Sequence, residues 1–175
     1  AQGRYSPAST IKPAIGLFGI DKDILDWEYT IQDPGFFILP EDGRIYRGWK
    51  KGGHGEINLK DAIIESSNTF FFSLAYQTEI EELRAHLSNF GFGKNVCDDC
   101  FMPDNGLLPS PRWKMNTHNF GWFKGDTVNV GVGQGYINAT PIQLAYYSAF
   151  LATKGNIHKF SFVQDSKNAN KNIFN

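Results

Sequence analysis

Apolar residues recur three and four apart in several stretches of this chain, and the polar residues at their ends mark where helices start and stop. Asn58 precedes Leu59, Ala62 and Ile63, with Asp61 in the first turn, where the positive end of the helix dipole favours a carboxylate. This pattern predicts a helix from about Asn58 through Ile63. Thr78 with Glu81 reads as a T-x-x-E capping box ahead of an amphipathic run that Gly91 can stop. Thr140, Pro141 and Gln143 form a second box with proline at the first helical position, opening a helix to about Thr153 that Gly155 ends. Strand signals are weaker. Asp33-Pro34-Gly35 is a turn, so the apolar residues 36–39 after it predict a strand, and residues 39–55 read as turns and short strands. Residues 127–132 alternate well enough to predict another strand. Helices outweigh strands, and residues 1–160 form one domain followed by a polar tail over residues 161–175.

Composition narrows the class. The chain has 175 residues, 41% of them hydrophobic and 20% charged, with a net charge of −1, so no electrostatic footprint points to nucleic acid. Fifteen phenylalanines imply aromatic packing in the core. No run approaches the roughly 20 apolar residues that span a bilayer, and no signal peptide opens the chain. It begins Ala-Gln-Gly-Arg, without an initiator Met, as expected of a segment of a longer protein. Its two cysteines, Cys97 and Cys100, stand in Cys-Asp-Asp-Cys. A second pair for a zinc ribbon is absent, which leaves structural thiols or a local disulfide, a redox pair, or a metal site as readings.

Candidate chemistry begins at Ser9-Thr10-Ile11-Lys12-Pro13. Residues three apart share a helix face, so the Ser9 hydroxyl and the Lys12 amine can meet. Serine is a weak nucleophile until a neighbour takes its proton, and a desolvated lysine held neutral can do so. Pro13 is tolerable only where a helix has barely begun, which puts Ser9 at or near the first residue, beside backbone N–H groups suited to an oxyanion.

The flanks give this pattern its specificity. Tyr5-Ser6-Pro7-Ala8-Ser9-Thr10-Ile11-Lys12-Pro13 resembles the nucleophile segment Y-P-P-G-S-T-x-K-P of penicillin-binding proteins, departing at Ser6 and Ala8. Ser66-Ser67-Asn68 resembles their second motif, S-x-N. It also reads as a polar kink capping a following helix, and Ser66 and Asn68 could serve both purposes. Phe90-Gly91-Phe92-Gly93, Leu108 through Lys114, Gly125-Asp126-Thr127, Gly131 through Tyr136 and Ala139 through Ala145 resemble further family segments, so the likeness spans nearly the whole chain to about Lys159. The spacing is most similar to the class B, elongation branch called penicillin-binding protein 2. Gly131-x-Gly133-x-Gly135 could also suggest a phosphate loop, but the next helix starts too late for one.

The resemblance implies a mixed α/β penicillin-recognising fold, an antiparallel sheet between helical layers, represented here mostly by its helical part. It implies a serine acyl-transfer enzyme that cross-links peptidoglycan stem peptides and is trapped by β-lactams. Ser9 would be the nucleophile, Lys12 its base, Ser66 a proton relay, and Asn68 the group that orients Lys12 and the substrate amide. No organic cofactor is implied. Some members of the branch carry a structural zinc on two Asp, a His and a Cys. Asp33 and His54 stand at matching spacings here, but Gly48 and Ser67 occupy the other two positions, so no zinc is expected. The implied location is the periplasmic face of the inner membrane. The implied partners are a glycan polymerase of the SEDS type and a rod-shape scaffold protein of the MreC type, both through segments outside this chain. No Lys-[Ser/Thr]-Gly occurs, so the third family motif, which clamps the substrate carboxylate, is missing and the segment alone is expected to be weakly active or inactive. Rival readings are a β-lactamase or β-lactam sensor of the same fold, and a domain that serves mainly for docking.

Overall fold

The computed structural model describes residues 3–163, so the predicted polar tail falls almost wholly outside the described residues. A 3-10 turn over Ala8–Ile11 runs directly into α1 (Lys12–Asp21). Four short strands follow: β1 (Thr30–Asp33), β2 (Phe36–Ile38), β3 (Ile45–Arg47) and β4 (Gly55–Asn58). The helices α2 (Leu59–Ile64), α3 (Asn68–Tyr76), α4 (Ile80–Asn89), α5 (Pro111–His118), α6 (Lys124–Val130) and α7 (Pro141–Ala152) complete the described residues.

The core forms around α3. Its run Thr69-Phe70-Phe71-Phe72 and then Leu74-Ala75 is buried on all sides, because α1 and α6 pack on it from different directions and the strands cover part of the rest. Where α6 ends, a Cβ on Gly131 would lie 2.3 Å from the Ala75 Cβ, so only glycine lets the two helices approach this closely. Ile11, Ala14, Ile15 and Phe18 bring the apolar face of α1 into the same core.

Among the described residues the strands form two antiparallel pairs, β1 with β4 and β2 with β3. β1 pairs with β4 in a register that sets Asp33 opposite Gly55, which draws Asp33 and His54 together from opposite ends of the β2–β3 hairpin.

Several expectations hold. Asn58 caps α2 by accepting the Asp61 N–H at 2.9 Å, β2 follows the Asp33-Pro34-Gly35 turn, and the Thr140–Gln143 box closes reciprocally at the start of α7. Two do not. Residues 127–132 form the end of α6 and a turn, not a strand. Asp126 accepts the Phe123 N–H at 2.8 Å and starts a helix of 7 residues, too short for its period to stand out against the alternation of Val128, Val130 and Val132. Thr78 does not cap α4 either. Its hydroxyl donates back to the Ala75 carbonyl at 2.8 Å, and Glu79 takes the N-cap position without a side-chain bond. α5, which hydropathy alone left unassigned, starts at Ser110, whose Oγ accepts the Trp113 N–H at 3.0 Å.

Candidate active site

The segment carrying Ser9 is held from behind by the glycine-rich turn. Tyr5 exchanges two backbone hydrogen bonds with Ala139, at 2.9 and 2.8 Å. Ala8 N–H and the Ser6 hydroxyl both donate to the Gly133 carbonyl, at 2.9 and 2.5 Å. A Cβ on Gly133 would sit 2.2 Å from the Ala8 carbonyl oxygen, so this contact requires glycine, which also suits the local φ of +69°. Ala8 itself has φ +48°, a left-handed conformation that costs an L-residue about 1–2 kcal/mol. The glycine of the family pattern would avoid that cost.

Ser9 is exposed and is the second residue of the 3-10 turn, and Lys12 N–H closes that turn on the Ser9 carbonyl. In a 3-10 turn residues i and i+3 share a side, so Ser9 and Lys12 lie one turn apart on it, although the Lys12 amine takes its hydrogen bonds elsewhere. Pro13 falls in the first turn of α1, where its missing N–H has no helical partner to lose. Both placements agree with the expectation from sequence.

Lys12 is only 1% exposed. Its Nζ donates to the Ser66 carbonyl at 2.7 Å, to Ser66 Oγ at 3.0 Å and to Asn68 Oδ1 at 2.7 Å. Burial, which penalises the charged form, lowers its pKa from 10.5 to about 8. About one amine in ten is then neutral at pH 7. A neutral amine keeps two N–H donors for the Ser66 carbonyl and Asn68 Oδ1 and frees a lone pair for a hydroxyl proton.

The second motif divides its labour in a way that spacing did not reveal. Ser67, its middle residue, caps α3 by accepting the Phe70 N–H at 3.2 Å, which leaves the Ser66 and Asn68 side chains to Lys12. Ser66 has φ +54°, which turns its carbonyl onto the amine.

Behind the motif lies a buried polar cluster. Ser67 Oγ donates to Asp33 Oδ2 at 2.7 Å, His54 Nδ1 meets the same oxygen at 2.7 Å, and Gly35 N–H donates to Oδ1 at 2.7 Å. Burial works to raise the Asp33 pKa, but the hydrogen bonds from His54, Ser67 and Gly35 prevail and hold it below the usual carboxylate range. Gly48 borders the same cluster, since a Cβ there would lie 3.4 Å from Thr69 Oγ1. The four positions of the zinc pattern therefore converge in space, but the residues do not fit the ion. Asp33 Oδ2 and His54 Nδ1 bond to each other, a hydroxyl replaces the thiolate, and a glycine stands where a carboxylate would be, which leaves too few donors for a closed tetrahedral site. The cap expected from this polar kink forms, but Ser67 provides it rather than Ser66 or Asn68. The signal available was a serine immediately before a buried apolar run.

Cys97 and Cys100 form a disulfide, with Cα atoms 5.6 Å apart. Between them, Asp99 accepts the Phe162 and Val163 N–H groups at 2.9 and 2.6 Å and the Ser161 hydroxyl at 2.6 Å. Lys114 and Asp126, from two of the family-like segments, form a part-buried ion pair at 2.6 Å that joins α5 to α6.

Residues 1–175 match the family described as the penicillin binding protein transpeptidase domain. Peptidoglycan D,D-transpeptidase MrdA of Acinetobacter baumannii is 45% identical over 154 residues, covering 88% of this chain and 23% of that protein. MrdA of Escherichia coli K12 is 38% identical over 154 residues, covering 88% of this chain and 24% of that protein. The chain thus spans about a quarter of the length of these relatives. Among solved structures, Pseudomonas aeruginosa PBP2 in complex with WCK 5153 superposes with a TM-score of 0.88 and 42% identity, over 91% of this chain and 36% of that one. Helicobacter pylori PBP2 in complex with MreC gives a TM-score of 0.88 and 33% identity, over 94% of this chain and 31% of that one.

Proposed function

The chain belongs to the penicillin-binding protein transpeptidase family, and from that membership we propose that it carries the nucleophile half of a serine D,D-transpeptidase that cross-links peptidoglycan during cell-wall elongation. One observation supports this reading above the others. A lysine depressed by burial to about pKa 8 sits one turn from an exposed serine, with its amine held by a second hydroxyl and an amide.

Ser9 Oγ attacks the carbonyl of the penultimate D-Ala of a stem peptide as its proton passes to neutral Lys12. Backbone N–H groups at the open end of the 3-10 turn stabilise the oxyanion. Collapse breaks the peptide bond to the terminal D-Ala. The leaving amine takes a proton from Lys12 through the Ser66 hydroxyl, and Asn68 keeps the amine and the substrate amide aligned. An amine of a neighbouring stem then attacks the Ser9 ester, yields its proton back along the same path, and frees Ser9 with the cross-link formed. A β-lactam enters by the first step and remains as the ester because its leaving group stays tethered.

The carboxylate clamp of this site would come from a Lys-[Ser/Thr]-Gly segment, which this chain does not contain. We place the complete protein at the periplasmic face of the inner membrane, working with a glycan polymerase and a scaffold protein of the MreC type. The MreC complex of the Helicobacter pylori protein supports the second partner. A solved peptidoglycan synthase complex that couples polymerization to crosslinking, matched at 27% identity, supports the first.

Intact-mass analysis after incubation of the complete protein with a penicillin tests the assignment. A single adduct mapping to Ser9, lost in Ser9→Ala, is expected. Labelling that persists in Ser9→Ala overturns it.

A further inference from the structure

On the premise that Ser9 is the nucleophile, we infer that His86 and Tyr147 are positioning residues that together hold the nucleophile-bearing helix by both backbone groups of Ala14. Ala14 is fully buried and lies in the first turn of α1, two residues after Lys12. First-turn N–H groups have no partner within their own helix. The Ala14 N–H finds one in Tyr147 Oη of α7, at 3.2 Å. The Ala14 carbonyl is met at 2.9 Å by His86 Nε2 of α4. A carbonyl can only accept, so Nε2 carries the proton.

Both side chains sit among aromatic rings, where a polar group is costly unless it has a specific partner. Tyr147 is 3% exposed and packs on Phe90 and Phe92, with ring centroids 5.8 and 5.3 Å apart. His86 packs on Phe18 and Phe90, at 5.2 and 5.0 Å. A phenylalanine at 147 would fill the same space, so what the hydroxyl adds is the bond to Ala14. Burial lowers the His86 pKa below 6.5, so at pH 7 the ring is a neutral donor.

The placement explains why two helices remote in sequence are used. α7 follows directly on Ala139, whose backbone pairs with Tyr5, so one rigid element grips the nucleophile segment both before Ser9 and after Lys12. The glycine turn at Gly133 holds the middle. Without the Ala14 contacts, α1 retains its apolar packing but can slide along it, because dispersion and burial are not directional. The quantity such a slide changes is the position of Ser9 and Lys12 relative to Ser66 and Asn68.

Acylation of the complete protein by a fluorescent penicillin, with binding separated from the acylation rate constant, tests this alongside hydrogen exchange of α1. Tyr147→Phe and His86→Leu are each expected to lower the acylation rate constant about tenfold, with apparent binding changed less than about twofold. Their α1 amides are expected to exchange about tenfold faster. His86→Gln, which can still present an N–H to the carbonyl, is expected to recover most of both losses. Variants that merely melt earlier, while their folded fraction acylates at the unaltered rate, overturn the positioning role. So does unchanged exchange in α1. If the unsubstituted protein takes up no penicillin, the nucleophile assignment fails, and the exchange measurement still decides whether the clamp exists.

Discussion

Comparing the complete protein with its Lys12→Met variant across pH isolates the titration of one buried amine, because every other group cancels in the difference. In the native state burial lowers Lys12 from 10.5 to about 8. Between these values the unfolded chain holds one proton that the native protein has released, so the stability difference rises with pH. The contribution is fully present above the unfolded value and is lost as pH falls through the folded one. Integrating the two titrations gives a gain of about 2 kcal/mol between about pH 8 and about pH 10. Below about pH 7 both states are charged and the difference is flat. Urea denaturation of both proteins at intervals of about one pH unit reads this directly from the midpoints. The same proton governs chemistry, because only the neutral amine accepts from Ser9. The acylation rate constant should climb about tenfold per pH unit and level off near pH 8. A stability difference that stays flat over the alkaline range, or an acylation rate still climbing tenfold per unit well above pH 9, would refute the argument that burial prepares Lys12 as the base.

Other consequences can be checked separately. Gln143 is fully buried and its Nε2 serves the carbonyls of Gly91, Lys94 and Asn105 at 3.1, 3.0 and 2.8 Å, so Gln143→Leu should cost about 4 kcal/mol by denaturant titration; a loss under about 1 kcal/mol would mean these carbonyls are not desolvated. Gly133→Ala forces a methyl against the Ala8 backbone and should destabilise by about 3 kcal/mol and slow acylation, whereas Ala8→Gly relieves the left-handed strain and should add about 0.5 kcal/mol; equal thermal midpoints for both variants would contradict this. Without reductant, Cys97 and Cys100 should take up no iodoacetamide. Reduction should expose both thiols and lower stability by about 2 kcal/mol, the entropy of a four-residue loop, and alkylation of the unreduced protein would show the bridge to be open.

Elements whose signals are local were legible along the chain. The start of α2 at Asn58, the Thr140–Gln143 box and the placement of Ser9 beside Pro13 each depend on residues within one helical turn of each other, so spacing and propensity suffice. The spacing of Ser9 and Lys12, one turn apart, follows from the same period, although the Lys12 amine bonds to Ser66 and Asn68. Burial is not local, and there the pattern misled. α6 is only seven residues long, and its buried Val128 and Val130, followed by Val132, imitate the alternation of a strand, while Thr78 turned back to the Ala75 carbonyl rather than forward to a helix start.

The convergence of distant residues belongs to tertiary structure alone. Lys12 meets Ser66 and Asn68 across more than fifty residues of chain, and that burial, not its identity as lysine, brings its pKa to about 8. Ser67, a local cap of α3, also donates to Asp33, which the β1–β4 register brings behind it with His54. Ala14 gains its two partners from α4 and α7, and nothing in either helix's own sequence points to that contact. Residue types and their spacing name the chemistry a chain can perform. Desolvation and hydrogen-bond partners depend on which distant surfaces are pressed together, and these set the protonation and alignment on which that chemistry runs.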